Sequence, residues 1–226
     1  DDEEELSSRL RSSAAETDLL CVIAGSAKGR RDLTATLLAR LGEVLVHGID
    51  IMPGRPAAVA DLDGTPVIGV PGYPVSAIIV CRELLRPMLA AQLGRAEPLP
   101  DTITATVRRK LPSRPGFEEF LRVCLTPEGG EFVAVPLSRG AGSIGSMAAA
   151  DGLLRIGADR QGIDEGTRVT VELLRPRQHL DDKVVVAGRP RRLGRQLDDA
   201  ARDHLPSFTL HHLGLEGIDE TRALER

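Results

Sequence analysis

The sequence predicts an α/β layer with a mostly parallel sheet, followed by a small all-β barrel and a partial α/β tail. Two short continuous apolar runs, residues 19–24 and 66–70, are typical of strands that are covered on both faces, and helical patterns follow them. After Pro98 the pattern changes to short strands that are separated by turn residues. With 226 residues the chain is long enough to bury at least one substantial core.

Glycine, proline and capping residues mark the ends of the elements in the first half. Asp32 is a natural N-cap, and Gly42 follows the last apolar residue of the same helical pattern. The segment 53–56 reads PGRP and cannot continue a strand or a helix, so it predicts a rigid loop. The predicted elements are a helix within residues 1–17, a strand at 19–24, a helix at 32–42, a strand at 44–51, a strand at 66–70 and a helix at 75–93 that is kinked near Pro87.

The second half predicts a small antiparallel barrel or sandwich of about 75 residues. Its short apolar segments alternate with turn residues, and no long helical pattern lies between them. A charged linker, residues 175–182, then leads into an apolar strand, an Arg- and Asp-rich helix and one more strand. The predicted strands of the barrel are residues 103–107, 120–125, 132–135, 153–156 and 169–174. The predicted domains are residues 1–97, 98–176 and 177–226.

Composition excludes several classes of partner. The net charge of −4 argues against a general nucleic-acid or anionic-membrane binder. With four Phe, one Tyr and no Trp, the chain has few rings on which single-stranded nucleic acid could stack. No apolar run is long enough to span a bilayer. We therefore expect a protein with neither nucleic-acid nor membrane partners.

The cysteines and the N-terminus favour a cytoplasmic location. Cys21, Cys81 and Cys124 are far apart, and each stands in an apolar run, which predicts buried, reduced thiols. The chain starts with Asp and Glu residues, unlike the basic start of a signal peptide. It has no initial Met, so we expect a piece of a longer chain.

The first candidate anion site is the segment AGSAKGRRD, residues 24–32. A strand ends there and a helix begins, and Gly25, Ser26 and Gly29 allow the backbone to approach a ligand closely. The spacing matches neither the dinucleotide-binding glycine motif nor the phosphate-binding P-loop. From the pattern alone, a plain turn with solvated charges is the favoured interpretation.

Two further loops could complete such a site. In MPGRP, residues 52–56, Gly54 lies between two prolines and Arg55 is presented on a stiff scaffold, which suits an oxyanion such as phosphate or molybdate. A rigid turn alone would explain the same pattern. VPGYPVSA, residues 70–77, again joins a strand to a helix. Ligands of open α/β sheets usually bind where strands end, so we expect the three loops to line one cleft. The residues of the third loop that we assign to this cleft are Pro71, Gly72, Pro74 and Ser76.

Three segments in this order and spacing resemble a known family: GSAKGRRD, HGIDIMPGRP and GVPGYPVSA. They look like domain III of molybdopterin molybdenumtransferase, the family that includes the gephyrin E domain. The likeness continues through RRKLPSRPGFEEFLRV, VPLSRGAGSIGSMAAADGL and GTRVTVELL, which resemble the C-terminal β-barrel domain of that family. It covers about residues 15–175. The tail is similar to the start of a periplasmic-binding-protein-like domain that is fused to some prokaryotic members.

The resemblance implies a three-layer molybdopterin-binding fold and a reaction in molybdenum cofactor biosynthesis. Molybdate would be inserted into adenylylated molybdopterin with release of AMP and with the assistance of Mg²⁺. The family works as a homodimer, and its site combines domain III of one subunit with domain II of the other. By the resemblance, Asp32 and Arg55 would be catalytic and Asp32 would bind Mg²⁺. The same comparison assigns substrate binding to Gly25, Ser26, Gly29, Gly54, Pro71, Gly72, Pro74 and Ser76.

Departures from the family pattern keep a second interpretation open. Met52 and Arg55 stand where the family usually has Lys, and Arg30 stands where an acid is common. Domains I and II and the first strand of domain III are not in this sequence, so we expect the chain alone to be inactive. The alternative is a non-catalytic scaffold or regulatory protein of the same fold that binds molybdopterin or molybdate.

Overall fold

The computed structural model describes residues 3–24, 33–142 and 144–180. Four predicted site residues, Gly25, Ser26, Gly29 and Asp32, lie outside this part of the chain. The predicted periplasmic-binding-protein-like tail also lies outside it, apart from its first residues. No helix within the described part is long and apolar enough to cross a membrane.

The first unit is an α/β layer around a four-stranded sheet of order β1-β5-β4-β2. The α/β class is confirmed, but the expectation of a mostly parallel sheet is wrong for the described strands. Only β1 and β5 run parallel, while β4 runs antiparallel to both of its neighbours. The strands of this unit and the short strand that follows β2 are β1 Leu20–Ala24, β2 Glu43–His47, β3 Ile51–Met52, β4 Ala58–Leu62 and β5 Thr65–Pro71. The helices are α1 Glu3–Ala15, α2 Leu33–Leu41, α3 Pro74–Val80 and α4 Arg86–Gln92.

Helices cover both faces of this sheet, which confirms the three-layer arrangement. Neighbouring residues of β5 point to opposite faces, as the alternation of a strand requires. Val67 packs in a cluster with Ala14 of α1 and Leu38 of α2. Ile68 packs instead in a cluster with Val80 of α3 and with residues of the turn that follows it.

Turn residues explain two errors in the strand prediction. The strand predicted at 44–51 is divided, because Gly48 has a φ of +82° and turns the chain between β2 and β3. The strand β4 was not predicted at all. It forms a hairpin with β5 through Asp63 and Gly64, whose φ angles of 52° and 91° suit an Asp-Gly turn. The Asp-Gly dipeptide is the sequence signal from which this hairpin could have been predicted.

The helix predicted at 75–93 consists of α3, a π-helical turn at Cys81–Leu85 and α4. The change of winding comes directly before Pro87, which lies in the first turn of α4 and has no N–H to donate. Cys81 in this turn is half-buried and Cys124 is buried, whereas Cys21 is exposed, contrary to the prediction of three buried thiols. Cys21 lies on β1, which is the outer strand of the described sheet. Partial burial raises the pKa of the Cys21 and Cys81 thiols.

The second unit is a closed barrel in which β8, β9, β6, β12 and β10 pair in turn and β10 returns to β8. All five predicted strands are present, and the barrel fold is confirmed. It is not entirely antiparallel, because β6 and β9 run parallel. Its interior holds apolar side chains such as Val107, Leu125 and Val171. The elements are β6 Thr102–Val107, β7 Leu111–Pro112, β8 Glu118–Glu128, β9 Glu131–Pro136, α5 Ile144–Ala149, β10 Gly152–Ile156, β11 Gly162–Ile163 and β12 Arg168–Leu173.

The two units are joined by a strand and by an apolar contact. The short strand β3 comes from the first half of the chain but pairs in parallel with the start of β8, at the rim of the barrel. Ile79 of α3 is buried against Phe120 of β8 and Leu153 of β10. A division at residue 97 therefore separates the two main sheets but not the pairing of β3, and the domain boundaries stay predictions.

Candidate functional site

The sheet brings the described ends of the three predicted loops to one edge. Ala24, at the end of β1, lies beside Pro71, at the end of β5. Ala58 starts β4 next to Gly69, and β4 runs antiparallel to β5, so the loop before β4 reaches the same edge. The sequence predicts that each loop follows a strand. The second loop follows the short strand β3, which pairs with the barrel strand β8, and it reaches this edge because it precedes β4.

Backbone hydrogen bonds hold the second loop in a fixed shape. The Gly48 N–H donates to the Ala57 carbonyl at 2.8 Å, and the Ile49 N–H donates to the Arg55 carbonyl at 3.0 Å. Gly54 has a φ of +135°, and a Cβ on it would lie 2.7 Å from Ile51 Cδ1. Only glycine fits this close approach without a shift of its neighbours. The position of Arg55 on the loop is therefore set by the backbone.

Phe117 connects this loop with the barrel. The guanidinium carbon of Arg55 lies 5.1 Å from the centre of the Phe117 ring, and that of Arg114 lies 5.0 Å from the same ring. Both distances are within the range of cation–π attraction. The electron-rich ring thus holds two positive side chains, one from each unit, in one place.

A cleft of about 430 Å³ lies between this loop and the barrel. A volume of this size is ordinary for a small-molecule site. Met52 and Pro53 line one side of it. The other sides are formed by the segment after β7, by the first half of β8 and by the loop after β9. The lining residues from these three segments are Pro112, Ser113, Arg114, Glu119, Phe120, Leu121, Arg122, Arg139 and Ala141.

Charge is the main chemical property of the cleft. Arg114, Arg122 and Arg139 line it together with a single carboxylate, Glu119, which gives the lining a net charge of +2. Arg139 pairs with the buried Glu119 at 3.2 Å and donates to the Pro112 carbonyl at 2.6 Å. Arg114 makes the stacking contact with Phe117. The arrangement attracts an anion of high charge density.

Arg122 is the buried cation of the cleft. It is 2% exposed, and its Nη2 donates to the carbonyl oxygens of Ser138 and, at 3.3 Å, of Gly140. Burial lowers the pKa of Arg122, Glu119 opposes that change, and Arg139 adds to it. The buried Nε of Arg122 and Oγ of Ser113 have no hydrogen-bond partner. A buried polar atom without a partner is costly, so an acceptor at these atoms would be favourable.

The third predicted loop lies against the same wall. The Val75 N–H, in the first turn of α3, donates to the Ala141 carbonyl at 3.1 Å. A Cβ on Gly142 would lie 3.6 Å from the ring of Tyr73, which is itself 55% exposed. The ring of Tyr73, the one tyrosine of the chain, therefore lies beside Gly142, which directly follows the cleft-lining Ala141.

The described site residues belong to two loops, and the structure places the two loops differently relative to the cleft. Gly54 and Arg55 adjoin the cleft through Met52, Pro53 and the Phe117 contact, but Arg55 is not among the residues that line it. Gly72 is exposed, whereas Ser76 is 3% exposed and faces the interior. Of the other two predicted residues in the third loop, Pro71 is buried and Pro74 is half-buried.

Sequence reasoning missed the arginines of the barrel that line the cleft. Arg114 and Arg122 stand in the segment PSRPGFEEFLR, and Arg139 stands in PLSRGAG. The signal was a cluster of arginines next to turn residues, but these segments come together only through the barrel closure. Among residues 3–24, 33–142 and 144–180, no group of three or more His, Cys, Asp or Glu side chains could hold a metal ion.

Comparisons with known families match both units. Residues 1–91 match the family described as "Probable molybdopterin binding domain". Residues 104–174 match the family described as "MoeA C-terminal region (domain IV)". The two matches follow each other in the order of the two units described above.

Individual relatives agree with these matches. The chain is 30% identical over 132 residues to molybdopterin molybdenumtransferase 2 of Mycobacterium tuberculosis, which covers 55% of this chain and 32% of that protein. It is 31% identical over 97 residues to molybdopterin molybdenumtransferase of Haemophilus influenzae, which covers 43% of this chain and 24% of the relative. The crystal structure of a molybdopterin biosynthesis MoeA protein from Pyrococcus horikoshii superposes with a TM-score of 0.62 at 35% identity, over 78% of this chain and 42% of that chain. The chain thus spans less than half the length of each of these three relatives.

Proposed function

Because the chain belongs to the molybdopterin molybdenumtransferase family, we propose that it acts in molybdenum cofactor biosynthesis and holds molybdate for transfer to adenylylated molybdopterin. The observation that carries this proposal is the cleft with a net charge of +2 and with Arg122 buried in its wall. Molybdate is a tetrahedral dianion, so its charge matches that of the lining. Its oxygens are acceptors for the guanidinium and hydroxyl groups of the lining, which come from Arg114, Arg122 and Ser113.

In this proposal the residues of the chain bind and orient the oxyanion. Arg114, which stacks on Phe117, is a cation at the exposed side of the cleft, and Arg122 is a fixed cation in its wall. Fixed guanidinium groups withdraw charge from the bound oxyanion, which favours replacement of a molybdenum–oxygen bond by bonds to the two dithiolene sulfurs of the pterin, while the displaced oxygen leaves as water with the two thiol protons. The pterin supplies the sulfur chemistry, and the protein supplies position and charge.

The finer parts of the proposal rest on the family resemblance. They are release of AMP, assistance by Mg²⁺, a homodimer and a cytoplasmic location. Asp32 is the residue that the resemblance assigns to Mg²⁺, and it lies outside the described residues. The carboxylate that lines the cleft, Glu119, is paired with Arg139 and offers no free ligand. We therefore derive no step through the metal.

The test is a calorimetric titration of the full chain with molybdate at fixed ionic strength. Arg114→Met removes an exposed lining cation, and Arg122→Met removes the buried one. Each is expected to weaken binding about tenfold or more, because a charge-assisted hydrogen bond contributes about 1.5–3 kcal/mol. Arg168→Met is the matched control, since Arg168 pairs with Glu131 on the exposed side of the barrel.

Tyr73 provides a second measurement. It is the only tyrosine, and the chain has no tryptophan, so fluorescence excited near 280 nm reports on the side of the cleft. We expect molybdate to change this fluorescence in the wild type and to do so at higher concentration in Arg114→Met. Wild-type protein that binds molybdate no better than Arg114→Met would contradict the proposal.

A second candidate is a non-catalytic binding protein, and Met52 favours it. Met52 lines the cleft at a position where the family usually has Lys, so the cleft has one cation fewer than the family pattern. In a catalytic protein we expect Met52→Lys to preserve or raise molybdenum insertion by the full-length protein. Binding of molybdate without any insertion, in both the wild type and Met52→Lys, would favour the second candidate.

A further inference from the structure

The contact between α3 and the barrel has an apolar centre and a charged border. Ile79, Phe120 and Leu153 are each 1% exposed or less and pack together at its centre. The π-helical turn after α3 carries Arg82 and Glu83 to the edge of this centre, where they meet charged residues of the barrel. The border is formed by Arg82, Glu83, Glu118, Arg155 and Glu172.

Arg155 of β10 is the shared cation of this border. Its Nη2 lies 2.6 Å from Oε2 of Glu83, and its Nη1 lies 3.3 Å from Oε1 of Glu118. Its Nε lies 3.7 Å from Oε1 of Glu172. Its guanidinium carbon also lies 4.8 Å from the centre of the Phe120 ring. Arg82 pairs with Glu172 at 2.8 Å and is the only other cation of the group. The five residues together carry a net charge of −1.

We propose that Arg155 is a positioning residue that holds the barrel against the α3 helix and so fixes the two walls of the cleft relative to each other. This inference rests on the proposed function insofar as the cleft binds an oxyanion. Arg155 meets the cleft lining at the ring of Phe120. It acts through Glu83, which is on the helical segment that begins with the third loop, and through Glu118, which begins the strand that lines the cleft.

The charges of the border explain why the position of α3 against the barrel depends on Arg155. Without Arg155, Glu83, Glu118 and Glu172 would face one another with Arg82 as the one remaining cation. Their side chains are only 22%, 31% and 19% exposed, so water screens their repulsion incompletely. Burial raises the pKa of Glu83, Glu172 and Glu118 add to that rise, and Arg155 opposes it. Repulsion across the border would move α3 away from the barrel.

A hydrogen bond between the two units reports this movement without any ligand. The Val75 N–H of α3 donates to the Ala141 carbonyl of the cleft loop, and Val75 is fully buried. In Arg155→Met we expect hydrogen exchange of this amide to rise about tenfold or more. We expect the affinity for molybdate to fall about three- to tenfold, with part of both losses restored in Arg155→Lys. The control Arg168→Met is expected to change neither quantity.

The outcomes separate the two proposals. If the wild type binds no molybdate, the proposed function fails, and exchange at Val75 still decides whether Arg155 positions the barrel. Exchange at Val75 that is equal in Arg155→Met and the wild type would overturn the inference. If Arg155→Met does not fold, Arg155→Gln replaces it, since it removes the same positive charge and keeps a polar side chain beside Glu83 and Glu118. A rise of Val75 exchange in Arg155→Gln supports the inference, and unchanged exchange overturns it.

Discussion

At the scale of single residues, Phe117 keeps Arg55 and Arg114 at one ring although their charges repel each other. We expect Phe117→Leu to retain the apolar volume and to lose the attraction of the ring for both cations. Such contacts contribute about 0.5–1 kcal/mol at exposed sites, so molybdate affinity should fall a few-fold. The measurement is the same calorimetric titration. Phe132→Leu is the matched control, because Phe132 packs on the barrel core away from the cleft lining. Equal losses in both variants would show that the ring acts only as apolar volume.

Gly54 is a second residue on which the loop depends. Gly54→Ala adds a methyl group 2.7 Å from Ile51 Cδ1 at a φ of +135°, so both contact and backbone conformation oppose it. We expect a loss of about 1–3 kcal/mol or more in the free energy of unfolding in urea. Gly129→Ala is the control, since Gly129 has a φ of +60° with open space around it. A loss no larger than that of the control would mean that the loop adjusts freely and does not fix Arg55.

At the scale of elements, the π-helical turn carries a carboxylate that makes stability depend on pH. Burial raises the pKa of Glu83 above its ordinary value of 4.5, and the opposing effect of Arg155 is smaller. The folded state therefore holds this proton to higher pH than the unfolded state does. Its contribution to stability is complete below about pH 4.5 and is lost as the pH rises through the raised pKa.

Glu83→Gln should remove this dependence. We expect the free energy of unfolding of the wild type, relative to Glu83→Gln, to fall as the pH is raised from 4 through the raised pKa of Glu83. Urea unfolding of both proteins across this range measures the difference. Glu131→Gln serves as the control, because Glu131 is 59% exposed and pairs only at the barrel surface. A difference between the wild type and Glu83→Gln that rises with pH would contradict the assignment of burial as the dominant cause.

At the scale of the whole molecule, local pattern predicted most elements but not how they combine. The five barrel strands and the helices of the first unit followed from alternation and capping, which are local signals, whereas the short helix α5 was not predicted. The antiparallel position of β4 depends on the hairpin at Asp63 and Gly64, and without it the sheet was expected to be mostly parallel. The lining arginines are more than ten residues away from the predicted loops in sequence. Only the closure of the barrel and the pairing of β3 with β8 bring Arg114 and Arg122 beside Met52.

The end of the barrel unit also depends on a contact that the local sequence pattern does not reveal. The sequence placed that end at residue 176, because a charged linker begins nearby. Leu180 is nevertheless 0% exposed and packs in the barrel core, and its N–H donates to the Arg177 carbonyl at 2.9 Å. A chain that ends at residue 176 would leave this part of the core empty.

We expect the chain that ends at residue 176 to be less stable than the chain that ends at residue 180. The difference should be about 2–5 kcal/mol, the usual cost of removing a buried leucine. Urea unfolding followed by circular dichroism measures it. Leu180→Ala in the complete chain is the matched variant and should lose a similar amount, because it removes the same side chain and keeps the backbone. If both shortened chains unfold at the same urea concentration, Leu180 is not part of the barrel core, and the boundary at residue 176 is the better one.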